Sequence, residues 1–212
     1  NEQDEATFLI HMILQSGRPF SDFAVLYRTN AQSRVLEEAF LHAGVPYTLV
    51  GGTRFYERKE IKDVLSYLRL LSNPKDTVSY NRIEKLGKGR MQKFLSFADE
   101  TIKDNKLVNF TTLELLDNTL DATRYLELYD ANVEEEAYRL ENIKELRSVA
   151  TEFPVLTEFL ENVALVEQEY IPEHVKEMGE NRQAVTLMTL HAAKGLEFPI
   201  VAIVGMEEGI FP

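Results

Sequence analysis

The stretch "VTLMTLHAAKGLEFPIVAIVG", residues 185–205, holds two apolar, β-prone runs separated by a polar insert. Each run is of strand length and largely apolar, as a segment built for burial is. In open α/β sheets, ligands gather where strands end and their loops begin, because backbone amides and helix N-termini point there. The insert carries groups suited to that place. Thr189, His191 and Lys194 can hydrogen-bond phosphates or sugars, Gly195 permits close backbone approach, and Glu197 can accept from a ribose hydroxyl. Polar loops after strands are common, so a purely structural loop stands beside this reading.

Upstream, "FAVLYRT" (23–29) is a second strand-length apolar run, and "NAQSRVLEEAFLHAG" (30–44) follows it with a helical stripe of Val35, Leu36, Ala39 and Phe40 closed by Gly44. "VPYTLVGG" (45–52) is a short strand ending in paired glycines. "RKEIKDVLSYLRLLSNP" (58–74) repeats Ile61, Leu65, Leu68 and Leu71 at helical spacing until Asn73 and Pro74 end it. At the front, "EQDEATFLIHMILQ" (2–15) predicts an amphipathic helix on Phe8, Ile10 or Met12, and Ile13 or Leu14, after an acidic first turn.

From about Asp76 to Glu180 the pattern is helical throughout, and "EQEYIPEHVKEMGENRQ" (167–183) reads as a solvated linker. The order strand, helix, strand, helix, helical block, strand, strand predicts an α/β parallel-sheet domain interrupted by an inserted all-helical subdomain. The expected division is 1–75 and 181–212 for the sheet domain, 76–180 for the insertion.

Composition narrows the function. The 212 residues are 44% hydrophobic with no cysteine, which excludes disulfides and thiolate metal sites, and four scattered histidines give no metal-ligand spacing. No apolar run approaches the roughly 20 residues of a membrane helix, so a cytoplasmic protein with no membrane partner is expected. A formal net charge of -12 argues against holding nucleic acid by bulk electrostatics; such contact must be local. Starting at Asn1 and stopping at "GMEEGIFP", the chain is expected to be a piece of a longer one.

Three further places carry binding chemistry. Tyr27 and Arg28 close the first strand with an aromatic face and a fixed charge, able to stack a base and neutralise a phosphate, or equally a core-edge tyrosine beside a surface arginine. In "LGKGRMQKF" (86–94), Gly87 and Gly89 bracket Lys88, with Arg90 and Lys93 following at a helix start, a combination that suits a phosphate backbone or a solvated turn. "GGTRFYERKEIKD" (51–63) mixes Arg54, Arg58, Lys59 and Lys62 with Phe55 and Tyr56, either a single-strand contact or a helix start with a hydrophobic anchor. There is no GxxxxGK[ST] phosphate loop and no acidic segment placed after a strand to hold magnesium. The chain alone is not expected to turn over a nucleotide.

"FAVLYRTNAQSR", "GGTRFYERKEIKDVLSYLRLLSNP" and "VTLMTLHAAKGLEFPIVAIVGMEEGIFP" together resemble the C-terminal half of superfamily 1 DNA helicases of the UvrD/Rep type, in motif IV, the segment after it, and motif V. The resemblance implies a RecA-like domain (2A) interrupted by the helical 2B subdomain. It implies that Tyr27 stacks on adenine, Arg28 reaches the ATP γ-phosphate and Glu197 holds the ribose. Thr189 and His191 would face single-stranded DNA, with Lys194 and Gly195 shaping the linking loop, and Lys88 and Arg90 would fall at the family's duplex-contacting glycine turn. That turn is usually longer than "LGKGR", and the helical block usually larger. The implied parent is a 3'-5' helicase or translocase using ATP with Mg2+, which no part of this piece is expected to retain tightly. Its partners would be single-stranded DNA, a duplex junction and the N-terminal RecA-like domain of the same protein, with motif VI downstream. The alternatives are a non-enzymatic protein-interaction module and a piece of a related helicase-nuclease.

Overall fold

A computed structural model describes residues 2–169 and 184–206. Most of the expected linker and the final "EEGIFP" therefore lie outside the described residues. The chain divides into two compact units, with boundaries between Phe55 and Tyr56 and between Glu167 and Gln168.

The first unit is α/β. It contains α1 (Glu2–Gln15), β1 (Phe23–Tyr27), α2 (Ser33–His42), β2 (Tyr47–Val50), β3 (Val185–Thr189) and β4 (Ile200–Ile203). All strand pairs are parallel, in the order β2-β3-β1-β4. β1 is buried along its whole length, as its unbroken apolar run predicts for a central parallel strand. Because side chains alternate across a strand, its residues serve two cores. Phe23, Val25 and Tyr27 pack with Val185 and Leu187 against Leu9 and Ile13 of α1 and Val35, Leu36 and Phe40 of α2. Ala24 and Leu26, with Met188, face the other way and are covered by Leu190, Ala192, Ala193 and Phe198 of the insert.

That second core explains the insert between β3 and β4: it is itself amphipathic. Its apolar residues seal one face of the sheet and leave His191, Lys194, Gly195 and Glu197 exposed.

α1 forms over the predicted residues and turns Ile10 and Ile13 of the predicted stripe inward, but with Ala6 and Leu9 rather than Phe8. Ala6, Leu9, Ile10 and Ile13 are buried, while Phe8, Met12 and Leu14 are 64%, 45% and 53% exposed. The spacing 6, 9, 10, 13 is the one that keeps a single helical face; positions 8, 12 and 14 fall outside it. α2 ends as its sequence predicts. Gly44 takes a left-handed φ of 64°, its N–H donates to the Leu41 carbonyl at 2.9 Å and that of Val45 to Phe40 at 3.0 Å, with Val45 and Phe40 both in the core.

The second unit holds α3 (Lys59–Ser72), α4 (Thr77–Glu84), α5 (Lys88–Ile102), α6 (Thr112–Thr123), α7 (Glu134–Glu152) and most of α8 (Leu156–Glu169). The expected division at residue 75 attached α3 to the sheet domain. The structure groups α3 with the helices instead, because it packs against α4, α5, α6 and α7 and buries Ile61, Val64, Leu65, Tyr67 and Leu68 completely. Its two acidic residues Glu60 and Asp63, and Arg58 just before it, are interior as well. Arg58 donates to Asn142 Oδ1 at 2.7 Å, Asn142 donates to Glu60 Oε1 at 2.6 Å, and Asp63 accepts from Arg82 Nε at 2.6 Å and from the Tyr125 hydroxyl at 2.9 Å. These bonds satisfy groups that burial would otherwise penalise.

"GGTRFYERKEIKD" is consequently not a single-strand stacking surface. Phe55 and Tyr56 are fully buried and Arg58 nearly so, which leaves the helix start with a hydrophobic anchor. Among the described residues, no helix is long and apolar enough to cross a membrane.

Candidate functional site

β1 and β3 are neighbours, and Tyr27 is in register with Thr189, so the segments leaving both strands start side by side. The Leu190 N–H donates to the Tyr27 carbonyl at 2.9 Å, extending the ladder one residue past the strand end. From that shared edge Arg28 and His191 project together. Arg28 Nη1 lies 3.2 Å from His191 Nδ1 and 3.4 Å from Nε2. A guanidinium can only donate, so the contact requires a neutral imidazole nitrogen as acceptor.

The insert then folds into a short turn. The N–H groups of Ala192 and Ala193 donate to the Thr189 carbonyl at 3.0 and 3.2 Å, and Ala192 N–H also reaches Thr189 Oγ1 at 3.2 Å. Part of the Thr189 hydroxyl's capacity is thus spent holding its own loop. Gly195 sits at φ 84°, and no atom lies within 4 Å of where a Cβ would stand. Its backbone angle is what demands glycine here. His191, Lys194 and Glu197 are exposed, and Arg28 is half-buried.

Tyr27 departs from the expected open aromatic face. It is 3% exposed and its ring belongs to the core under α1 and α2. Being at an odd position of β1 with Phe23 and Val25, it faces the helices, so a base can stack on it only if its covering moves.

Lys88 and Arg90 belong to the helical unit, in the first turn of α5. Gly87 caps that helix at φ 122°, a value that L side chains rarely adopt, as the glycine turn predicts. Lys88 is exposed. Arg90 is half-buried: Nη1 reaches back to the Leu86 carbonyl at 3.4 Å and Nε is buried without a hydrogen-bond partner among the described residues. Burial pushes the Tyr67 phenol up to about 12, and the Arg90 charge acts in the opposite direction. Arg90 therefore spends its charge partly inward, and Lys88 is the open cation of the pair.

One residue of the site went unread in the sequence. The Gln32 side-chain oxygen Oε1 accepts from Arg28 N–H at 2.9 Å and from Thr29 N–H at 3.0 Å. The signal was available as Thr29-x-x-Gln32, the spacing of a capping box.

The profile of the UvrD-like helicase C-terminal domain matches residues 1–118 and 90–212 of the chain. The chain belongs to that family. Curated relatives include the ATP-dependent DNA helicases PcrA of Bacillus subtilis (41% identical over 260 residues), Staphylococcus aureus strain Mu50 (40% over 259) and Staphylococcus epidermidis (37% over 261). Each match covers the whole chain and 35% of the relative, so the chain spans about a third of the length of these proteins. The 212 residues align over 260 positions in the Bacillus match, so that relative carries residues within the matched region that this chain lacks.

Proposed function

We propose that this chain is the second RecA-like domain, with its inserted helical subdomain, of an ATP-dependent 3'-5' DNA helicase or translocase. The observation that carries this reading is the meeting of Arg28 and His191, delivered by the β1 and β3 loops to a single edge of the sheet. One loop supplies a nucleotide contact and the next supplies a DNA contact, so whatever moves one is felt by the other.

The residues present fit part of a nucleotide. Arg28 is a fixed cation able to donate to a terminal phosphate, and Glu197 is an exposed carboxylate able to accept from ribose hydroxyls. The phosphate cradle and the Mg2+ ligands are assigned to the N-terminal RecA-like domain, because the sequence has no GxxxxGK[ST] loop and the described residues gather no group of three metal-binding side chains. Bound Mg2+ would neutralise phosphate charge there. Arg28, turned from His191 toward the terminal phosphate, favours the closed arrangement of the two domains only to the extent that it binds phosphate better in that state. His191, Thr189 and Lys194 face the single strand, and Gly195 gives their loop its left-handed turn. Lys88 is the stronger candidate of the α5 pair for a duplex phosphate; Tyr27 contributes as a rigid support beneath Arg28 and stacks on adenine only after its covering opens.

DNA-stimulated ATP hydrolysis by the full-length parent tests this. Arg28→Ala should lower turnover by about 100-fold or more, the scale expected when a charge aimed at a reacting phosphate is removed. Unchanged turnover would remove Arg28 from the site. The isolated 212 residues should not hydrolyse ATP; DNA-stimulated turnover by them alone would overturn the division of labour between the two halves.

A further inference from the structure

A glutamine in a capping box ordinarily reaches back to one backbone N–H, that of the capping residue. Gln32 accepts from two, those of Thr29 and Arg28, and so grips the backbone on both sides of the Arg28 carbonyl. Its other end is seated against the exit of β4. A Cβ placed on Gly205 would overlap the Gln32 side-chain amide and lie 3.0 Å from Cδ. Gly205 has a φ of 68°, is buried, and donates its N–H to Glu5 Oε2 at 3.0 Å. The Gln32 amide thus lies against Gly205, itself tied to α1 through Glu5, while its oxygen holds the Arg28 turn.

The Arg28 side chain has no comparable anchor. Among the described residues its guanidinium meets only the exposed His191 ring. The direction in which this long side chain leaves the sheet is therefore set by its backbone, and Gln32 sets that backbone.

We infer that Gln32 is a positioning residue for Arg28, with Gly205 as the seat that keeps its amide in place. The inference rests on the reading of Arg28 as a nucleotide contact given above. It also assigns a reason for glycine at 205 that does not involve a ligand: any side chain there would displace Gln32 and, through it, the turn that aims Arg28.

The test uses the full-length protein and two readouts. In amide hydrogen exchange, Gln32→Ala should speed exchange of the Arg28 and Thr29 amides by about 10-fold or more, since these lose their acceptor. Gln32→Glu should retain protection, because a carboxylate can accept both bonds. Gly205→Ala should reproduce the Gln32→Ala result. Unchanged exchange in Gln32→Ala would overturn the inference. In DNA-stimulated ATP hydrolysis, Gln32→Ala should lower kcat by about 10-fold with KM for ATP within about 2-fold, as misplacement of a positioned group does. Added to Arg28→Ala it should change turnover by less than about 2-fold, because both substitutions remove the same interaction. Multiplying losses would show that Gln32 acts by another route and would also overturn the inference. If Arg28→Ala itself retains full turnover, the nucleotide reading fails, and the exchange measurement still judges whether Gln32 holds the turn.

Discussion

The loop between β3 and β4 and the first half of α3 are both apolar stretches studded with charge, yet they use that charge in opposite ways. In the loop, the apolar residues Leu190, Ala192, Ala193 and Phe198 cover the sheet, and His191, Lys194 and Glu197 stay exposed to water. In α3, Glu60 and Asp63 are 4% and 1% exposed and bonded to Asn142, Arg82 and Tyr125. A charge left in water remains available to a ligand, whereas a charge taken into the interior must spend its bonding capacity on neighbours. The comparison teaches that a charged motif is read correctly only after asking which of its charges are already satisfied.

Substitutions can sharpen or break that contrast. The largest expected effect is at Arg28, where replacement by alanine should remove about 100-fold or more of ATP turnover, some 3 kcal/mol of transition-state stabilisation, and leave the denaturation midpoint nearly unchanged. Asp63→Ala should do the reverse, lowering stability by about 2 to 3 kcal/mol in urea unfolding. The figure is below the full cost of orphaning a buried partner because the Arg82 side chain is 34% exposed and water can reclaim part of it. If Asp63→Ala were stable but inactive, α3 would belong with the loop as a binding element.

The interior phenols give a pH test of the same contrast. Burial raises Tyr67 from 10.0 to about 12, and Tyr125 is raised too, by burial and by the nearby Asp63. A phenol whose pKa is higher in the folded state contributes its full stability below pH 10 and loses it as pH rises through the folded value. Unfolding followed by circular dichroism should show the helical unit losing stability between pH 10 and 12, with about 2 kcal/mol of that loss from Tyr67 and removed by Tyr67→Phe. The smallest effect is expected at His191: because the ring is exposed and no core contact depends on it, His191→Ala should leave stability within about 0.5 kcal/mol while weakening single-stranded DNA binding. A large loss of stability there would place the loop's polar groups with those of α3.

Much of the fold was legible because strands and helices announce themselves by apolar period. The runs at 23–27 and 185–189 are short and largely apolar, and both are parallel strands, the first buried throughout and the second at Val185, Leu187 and Met188; Gly44 closes α2 with the left-handed turn its position predicts. The pairing of Arg28 with His191 was legible only as two motifs, since nothing in a linear pattern states that residues 163 positions apart leave adjacent strands. For Tyr27 the core-edge reading holds over the open face, because alternation along β1 puts it with Phe23 and Val25, a parity that matters only once the helices are known to lie on that side. For Phe55, Tyr56 and Arg58 the sequence left two readings open, because composition does not distinguish an aromatic and basic surface from a helix start with a hydrophobic anchor; burial selects the second. Gln32 carried a readable capping signal, but its second bond and its seat on Gly205 depend on where β4 ends.

By itself the sequence determined the class of the molecule, the order of its elements, its family, and the residues whose chemistry suits the proposed nucleotide and DNA contacts, because residue type and period are local properties. Tertiary structure decided which of those residues are free. It sank Tyr27 and α3, turned Arg90 partly inward, and left Arg28 and His191 touching at 3.2 Å on the edge of the sheet. The physical reason is that burial and hydrogen-bond satisfaction are set by what packs against a side chain, and those neighbours come from distant parts of the chain.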